Sequence, residues 1–137
     1  MEMSRQFANF LLDKPCRVYP SGFGVRLNKG KHTAFQPDIT VVCDHSKFTD
    51  RGCEGAPDLV VEILSPSTAR FDRFVKLREY LRAGVREYWI VDPVDKLLYA
   101  HRLKDGVYNI EVFGDQDTVP AHTLPGCNID LTRVFVE

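Results

Sequence analysis

Residues 57–68 read Pro57-Asp58-Leu59-Val60-Val61-Glu62-Ile63-Leu64-Ser65-Pro66-Ser67-Thr68, an apolar run bounded by prolines with one glutamate in its middle. A short, β-branched, nearly continuous run of this kind reads as a strand buried on both faces, so residues 59–64 belong near the centre of a sheet. An unpaired ionised carboxylate buried there costs more than one side chain contributes to packing. Glu62 must therefore be paired, protonated or bound to a cation. The chain then offers cap residues at 65–68. Phe71, Phe74, Leu77 and Leu81 follow at spacings of three and four, which predicts a helix packing one stripe onto the sheet and stopped by Gly84. Residues 87–91 form the next strand. A strand, a helix and a strand in direct succession imply a right-handed crossover between parallel neighbours.

The flanking segments complete an α/β pattern. Phe7, Phe10 and Leu11 lie at helical spacing within residues 4–12, ahead of Asp13-Lys14-Pro15. Residues 16–19 and 23–27 are β-prone, separated by Pro20-Ser21-Gly22 and followed by a turn at 28–31. Residues 37–43 form another strand, and 44–56, polar with two glycines, read as a long loop. Residues 97–103 and 107–113, joined by Lys104-Asp105-Gly106, make a C-terminal β-hairpin, and 124–136 a final strand or short helical tail. No internal repeat or linker is present, so residues 1–137 read as one domain, with 44% hydrophobic residues to build its core.

Composition excludes several classes of function. With 18 Lys+Arg against 19 Asp+Glu, no overall field draws the surface to nucleic acid or anionic lipid, so a polyanion has to be held by a local patch. The longest apolar run is far short of a membrane span and the N-terminus has no export pattern, which predicts a cytoplasmic protein without membrane association. Cys16, Cys43, Cys53 and Cys127 are scattered, so reduced thiols are expected. Cys43, His45 and Cys53 lack standard zinc-ligand spacing. His45 and His101 have no neighbouring nucleophile pattern, which argues against Ser-His or Cys-His hydrolysis.

Two strands open with Pro-Asp, at 37–38 and 57–58. Period-two alternation places Asp58, Val60, Glu62 and Leu64 on one face of the second, and Asp38, Thr40 and Val42 on one face of the first. If these strands are neighbours, Asp38 and Glu62 converge, and two such carboxylates repel unless a shared proton or a hard cation such as Mg2+ or Mn2+ intervenes. Asp72 and Lys76 stand one helical turn apart, and Lys76 is a partner for Glu62. Structural roles stand beside these: an internal ion pair for Glu62, turn caps for Asp38 and Asp58, a solvated pair for Lys76 with Asp72. Arg70, Arg73, Arg78 and Arg82 either contact phosphates or form a solvated face, whereas Tyr88 and Trp89 read as core or interface residues.

Taken together, Gln36-Pro37-Asp38-Ile39, the run from Gly55 to Thr68, Asp72 with Lys76, the segment Gly84-Val85-Arg86-Glu87-Tyr88-Trp89-Ile90-Val91-Asp92-Pro93 and Leu124-Pro125-Gly126 resemble the Uma-type restriction endonuclease family of the PD-(D/E)XK nuclease superfamily. The resemblance covers most of the chain. It implies a restriction-endonuclease-like core, a mixed central sheet flanked by helices, and a metal-dependent phosphodiesterase site. By position, Asp38 and Glu62 match the metal-coordinating acids and Lys76 the catalytic lysine, moved onto the helix because Leu64 stands where the short motif has lysine; Asp58 and Asp72 are secondary candidates. Family members usually carry a further N-terminal hairpin, so the chain reads as N-terminally short.

The leading expectation is an endonuclease using Mg2+ or Mn2+ on nucleic acid, with DNA preferred. The competing one is a catalytically incomplete nuclease-fold module that binds nucleic acid or protein, and a third is a phosphohydrolase for a small substrate. The hairpin edge also offers unpaired backbone groups for a homodimer.

Overall fold

Alternating and continuous apolar runs assemble into a six-stranded sheet that carries Glu62 and has Asp38 and Asp58 at the entries of two of its strands. The computed structural model describes residues 2–27, 34–50, 52–67 and 69–135, without the side chain of Asp72. In chain order, α1 (Glu2–Phe10) is followed by β1 (Arg17–Pro20), β2 (Gly24–Arg26), β3 (Ile39–Val42), a 3-10 turn (His45–Lys47), β4 (Phe48–Thr49), β5 (Gly52–Glu54) and β6 (Leu59–Ile63). A π-helical turn (Phe71–Lys76) then runs into α2 (Leu77–Ala83), followed by β7 (Glu87–Asp92), β8 (Leu97–Lys104), β9 (Val107–Gly114), β10 (Thr118–Pro120) and β11 (Asn128–Asp130). The turn placed at residues 28–31 lies outside the described residues.

The main sheet has the order β1-β3-β6-β7-β8-β9. The apolar run at 59–63 sits inside it, antiparallel to β3 with Ile39 opposite Val61, and parallel to β7 with Val61 opposite Trp89. Helix stop and strand order agree with the strand–helix–strand reading, and the architecture is a mixed α/β fold. Because side chains alternate across the pleat, the two faces have separate cores. Leu59, Val61, Ile39, Val41 and Trp89 pack with Met3, Phe7 and Leu11 of the α1 segment, while Val60, Leu64, Tyr88 and Ile90 pack with Tyr80 and Val85. Each fully buried Leu, Ile or Val contributes about 1.5–3 kcal/mol relative to exposure. The two-residue turn between β8 and β9 is Asp105-Gly106 with φ of 54° and 81°, the pair of positive angles that a twisted hairpin requires.

Four expectations are corrected. Residues 44–56 are not a plain loop: β4 and β5 join β2 in a three-stranded sheet of order β2-β5-β4, whose strands are too short to show periodicity in sequence. Gly52 is essential to it, since a Cβ there would lie 2.1 Å from the Gly24 carbonyl oxygen. Among the described residues of 124–136 only Asn128–Asp130 is a strand, paired with the unanticipated Thr118–Pro120. The helical stripe is broken: Leu77 packs on the sheet, but Phe71 and Phe74 are 44% and 61% exposed, because the wider ladder of the π-turn takes them off the line that α-helical spacing would give. Finally, Cys16 and Cys43, opposite each other at the ends of β1 and β3, form a disulfide, whereas Cys53 and Cys127 are free and buried.

Candidate active site

Glu62 points to the α2 side of the sheet, the face shared with Val60 and Leu64, and is 3% exposed. Its Oε2 accepts hydrogen bonds from Lys76 Nζ at 2.9 Å and from the Tyr80 hydroxyl at 3.1 Å. The buried glutamate and the helical lysine therefore meet, one of the pairings the sequence left open. Lys76 closes the π-turn, Tyr80 lies one turn further along α2, and the four-residue interval puts both on one face. That interval was legible in the sequence, yet Tyr80 was not singled out. A tyrosine in an apolar helical stripe reads as core, and 0% exposure makes it core as well.

Asp38 precedes β3, and extending the β3–β6 register by one residue sets it opposite Glu62. Its Oδ2 accepts from the backbone N–H of Ile63 at 2.6 Å, and Oδ1 has no hydrogen bond among the described residues. Next along the same face, Thr40 is fully buried and its Oγ1 lacks a hydrogen-bond partner among the described residues. Asp58 is placed differently. Its two oxygens are taken by the backbone N–H of Cys43 at 2.6 Å and by Arg86 Nη2 at 2.8 Å, so it clasps β3 and the start of β7 at the other end of the strand. The side chain of Asp72 lies outside the described residues.

An aromatic wall closes over the acid. Phe35, bridged to Val25 of the small sheet, stands edge-on to Tyr80 at 5.5 Å and to Phe71 at 6.2 Å. Lys76 Nζ lies 5.7 Å and 5.6 Å from the Phe35 and Phe71 ring centres. Low-dielectric walls of this kind strengthen the attraction between ammonium and carboxylate. Of the helix arginines, Arg73 lies over Tyr99 and 3.6 Å from Asp92, and Arg82 lies 3.9 Å from Glu79. Arg70 and Arg78 are exposed and without an ion pair among the described residues. Tyr88 and Trp89 are buried, which places them in the core rather than on a binding surface.

Among the described residues no three His, Cys, Asp or Glu side chains gather in a group that could hold a metal ion. The donors at this site are carboxylate oxygens, which suit hard cations. Mg2+ is commonly held by one or two carboxylates and keeps several waters, so Asp38 and Glu62, with the Thr40 hydroxyl, unpartnered among the described residues, next on the face of Asp38, fit such an ion. Among the described residues no helix is long and apolar enough to cross a membrane.

Comparison with known proteins follows the same outline. A solved structure described as a putative nuclease belonging to DUF820, from Anabaena variabilis ATCC 29413, superposes with a TM-score of 0.73 at 20% identity, over 96% of this chain and 75% of that one, a likeness of fold. An uncharacterized protein of Synechocystis sp. (strain ATCC 27184 / PCC 6803 / Kazusa) is 35% identical over 110 residues, covering 77% of this chain and 56% of the relative. The chain thus spans little more than half the length of that relative. The Uma2 family model, described as "Putative restriction endonuclease", matches residues 2–132, and the chain belongs to that family.

Proposed function

We propose that this chain cleaves nucleic-acid phosphodiester bonds, DNA first among them, with a Mg2+ or Mn2+ ion held by Asp38 and Glu62. The observation that supports the reading is a buried glutamate bonded to Lys76 at 2.9 Å and set by register across from Asp38. When bound, the ion would polarise a phosphoryl oxygen and lower the pKa of a water. Asp38 is steadied by the Ile63 N–H and offers Oδ1, while Tyr80 fixes the rotamer of Glu62. In this reading the Lys76 ammonium would orient the attacking water and stabilise charge developing on the phosphoryl oxygens. Cleavage of plasmid and linear DNA with Mn2+ or Mg2+ tests the reading, with Glu62→Gln, Lys76→Ala and Asp58→Asn compared. Activity that survives Glu62→Gln refutes the assignment; Asp58→Asn should remain active if it folds.

One observation favours a second reading. Lys76 bonds Glu62 directly, so the acid already has a counter-charge, as it would in a catalytically incomplete module that binds nucleic acid or protein. Such a module gives no hydrolysis of nucleotides or polynucleotides at any metal concentration. A cytoplasmic location belongs to the same proposal, as does a second copy docked along β9, where Val107, Ile110 and Val112 are more than half exposed; cell fractionation and sedimentation test these.

A further inference from the structure

The π-turn presents what an amphipathic helix normally hides. Phe71, Phe74 and Val75 are 44%, 61% and 41% exposed, and the centre of the Phe71 ring lies 5.6 Å from the ammonium that bonds Glu62. Phe71 is also held: Phe35 stands edge-on against it at 6.2 Å and 73°, Tyr80 braces Phe35, and the Tyr80 hydroxyl bonds Glu62. A continuous chain of contacts thus leads from the acid to an exposed aromatic ring. Leaving such rings in water forgoes burial free energy that packing onto the sheet would have supplied.

The surroundings select the ligand. This apolar surface ends at Lys76, which is paired with Glu62, and begins beside Arg70, which is exposed and without an ion pair among the described residues. Flat rings beside the exposed Arg70 guanidinium complement a polyanion that carries aromatic faces. A paired duplex hides those faces in its own stack, whereas an unpaired strand offers them to a ring. Resting on the nuclease reading, we propose that Phe71 and Phe74 form a stacking platform for unpaired nucleobases next to the phosphate handled by Glu62 and Lys76, so that the favoured substrate is single-stranded or locally unpaired nucleic acid.

Fluorescence anisotropy in EDTA, which prevents metal-dependent cleavage, tests the platform with a labelled single-stranded deoxyoligonucleotide, its abasic counterpart and a duplex of equal length. The wild type should bind the single strand most tightly. Phe74→Ala and the bulk-preserving Phe71→Leu should each weaken that binding about tenfold, a typical loss for one stacked base, while leaving affinity for the abasic strand unchanged. Phe74→Trp should retain the wild-type affinity. Equal affinity of wild type and both loss variants for the single strand, an equal loss on the abasic strand, or wild-type preference for duplex would each overturn the proposal. So would a Phe74→Ala protein that changes oligomeric state yet binds the single strand unchanged, since the patch would then belong to a second copy. A wild type that cleaves duplex DNA with Mn2+ while the variants bind and cleave as it does removes the platform alone. A wild type that neither binds nor cleaves any nucleic acid removes the nuclease reading with it.

Discussion

Lys76→Met isolates the electrostatics of the candidate site from its chemistry. The Glu62 side chain is 4% exposed and that of Lys76 15%, with 2.9 Å between nitrogen and oxygen. Removing one member of a buried ion pair strands the other charge in a poor solvent and costs about 3–5 kcal/mol. The lower end applies here, because water that reaches Lys76 can enter the space it leaves and Tyr80 still donates to the carboxylate. Scaling unfolding entropy to 137 residues, a loss of about 3 kcal/mol lowers the midpoint of thermal unfolding by about 10 °C. The measurement is calorimetry with EDTA present, so that no bound cation offsets the exposed acid. Glu62→Gln combined with Lys76→Met should recover most of the loss, since the double variant buries a neutral amide against an apolar chain. If Lys76→Met stays within about 1 kcal/mol of wild type, or the double variant is as unstable as the single one, Glu62 is not a buried anion held by Lys76.

Three further outcomes are expected. Arg102 serves the buried Glu87 at 3.3 Å while also bonding Glu111 and, at 2.6 Å, the Pro120 carbonyl, so Arg102→Met should cost about 3 kcal/mol in urea unfolding and loosen the C-terminal hairpins together. Reducing the Cys16–Cys43 bridge, which spans 27 residues, should lower stability by about 3.5 kcal/mol by releasing chain entropy in the unfolded state, a difference that Cys16→Ala should reproduce without reductant. Burial depresses the His101 pKa below its ordinary value of 6.5, so the unfolded chain binds the extra proton. Its contribution is fully present above that pH and is lost as pH falls through and below it. His101→Gln should therefore flatten the decline in unfolding free energy on the acidic side of about pH 6.5.

The contrast between what the chain declares and what it conceals follows from the range of each interaction. Glu62 is legible because a carboxylate in a β-branched run violates local composition, but its need for a partner does not by itself choose Lys76 over Arg70 and Arg73, which precede it; the family resemblance makes that choice. Period-two alternation places Asp38 and Glu62 each on a face of its strand, but the register that sets one opposite the other is not written in that alternation. Strands of two or three residues have no period, so the small sheet built from residues 24–26, 48–49 and 52–54 is invisible until folding brings its pieces together. Four scattered cysteines do not announce which pair meets, because pairing depends on the β1–β3 register rather than on spacing. Intervals of three and four residues read as α-helix, and nothing local to Phe71–Lys76 declares a wider ladder.

That ladder makes the site sensitive to chain length in a way substitutions would not expose. A π-turn can be viewed as an α-helix that has absorbed an inserted residue, and each residue of an ordinary helix advances the chain by about 100° around its axis. Deleting one residue between Arg70 and Lys76 would allow the segment to relax into uniform α-helix, with everything before the deletion swung by that angle relative to α2. Lys76 and Tyr80 could keep their grip on Glu62, but Phe71 and its neighbours would face a different quarter of the surface. Among relatives, insertions and deletions in this turn would thus re-aim the rim of the site while leaving its floor in place.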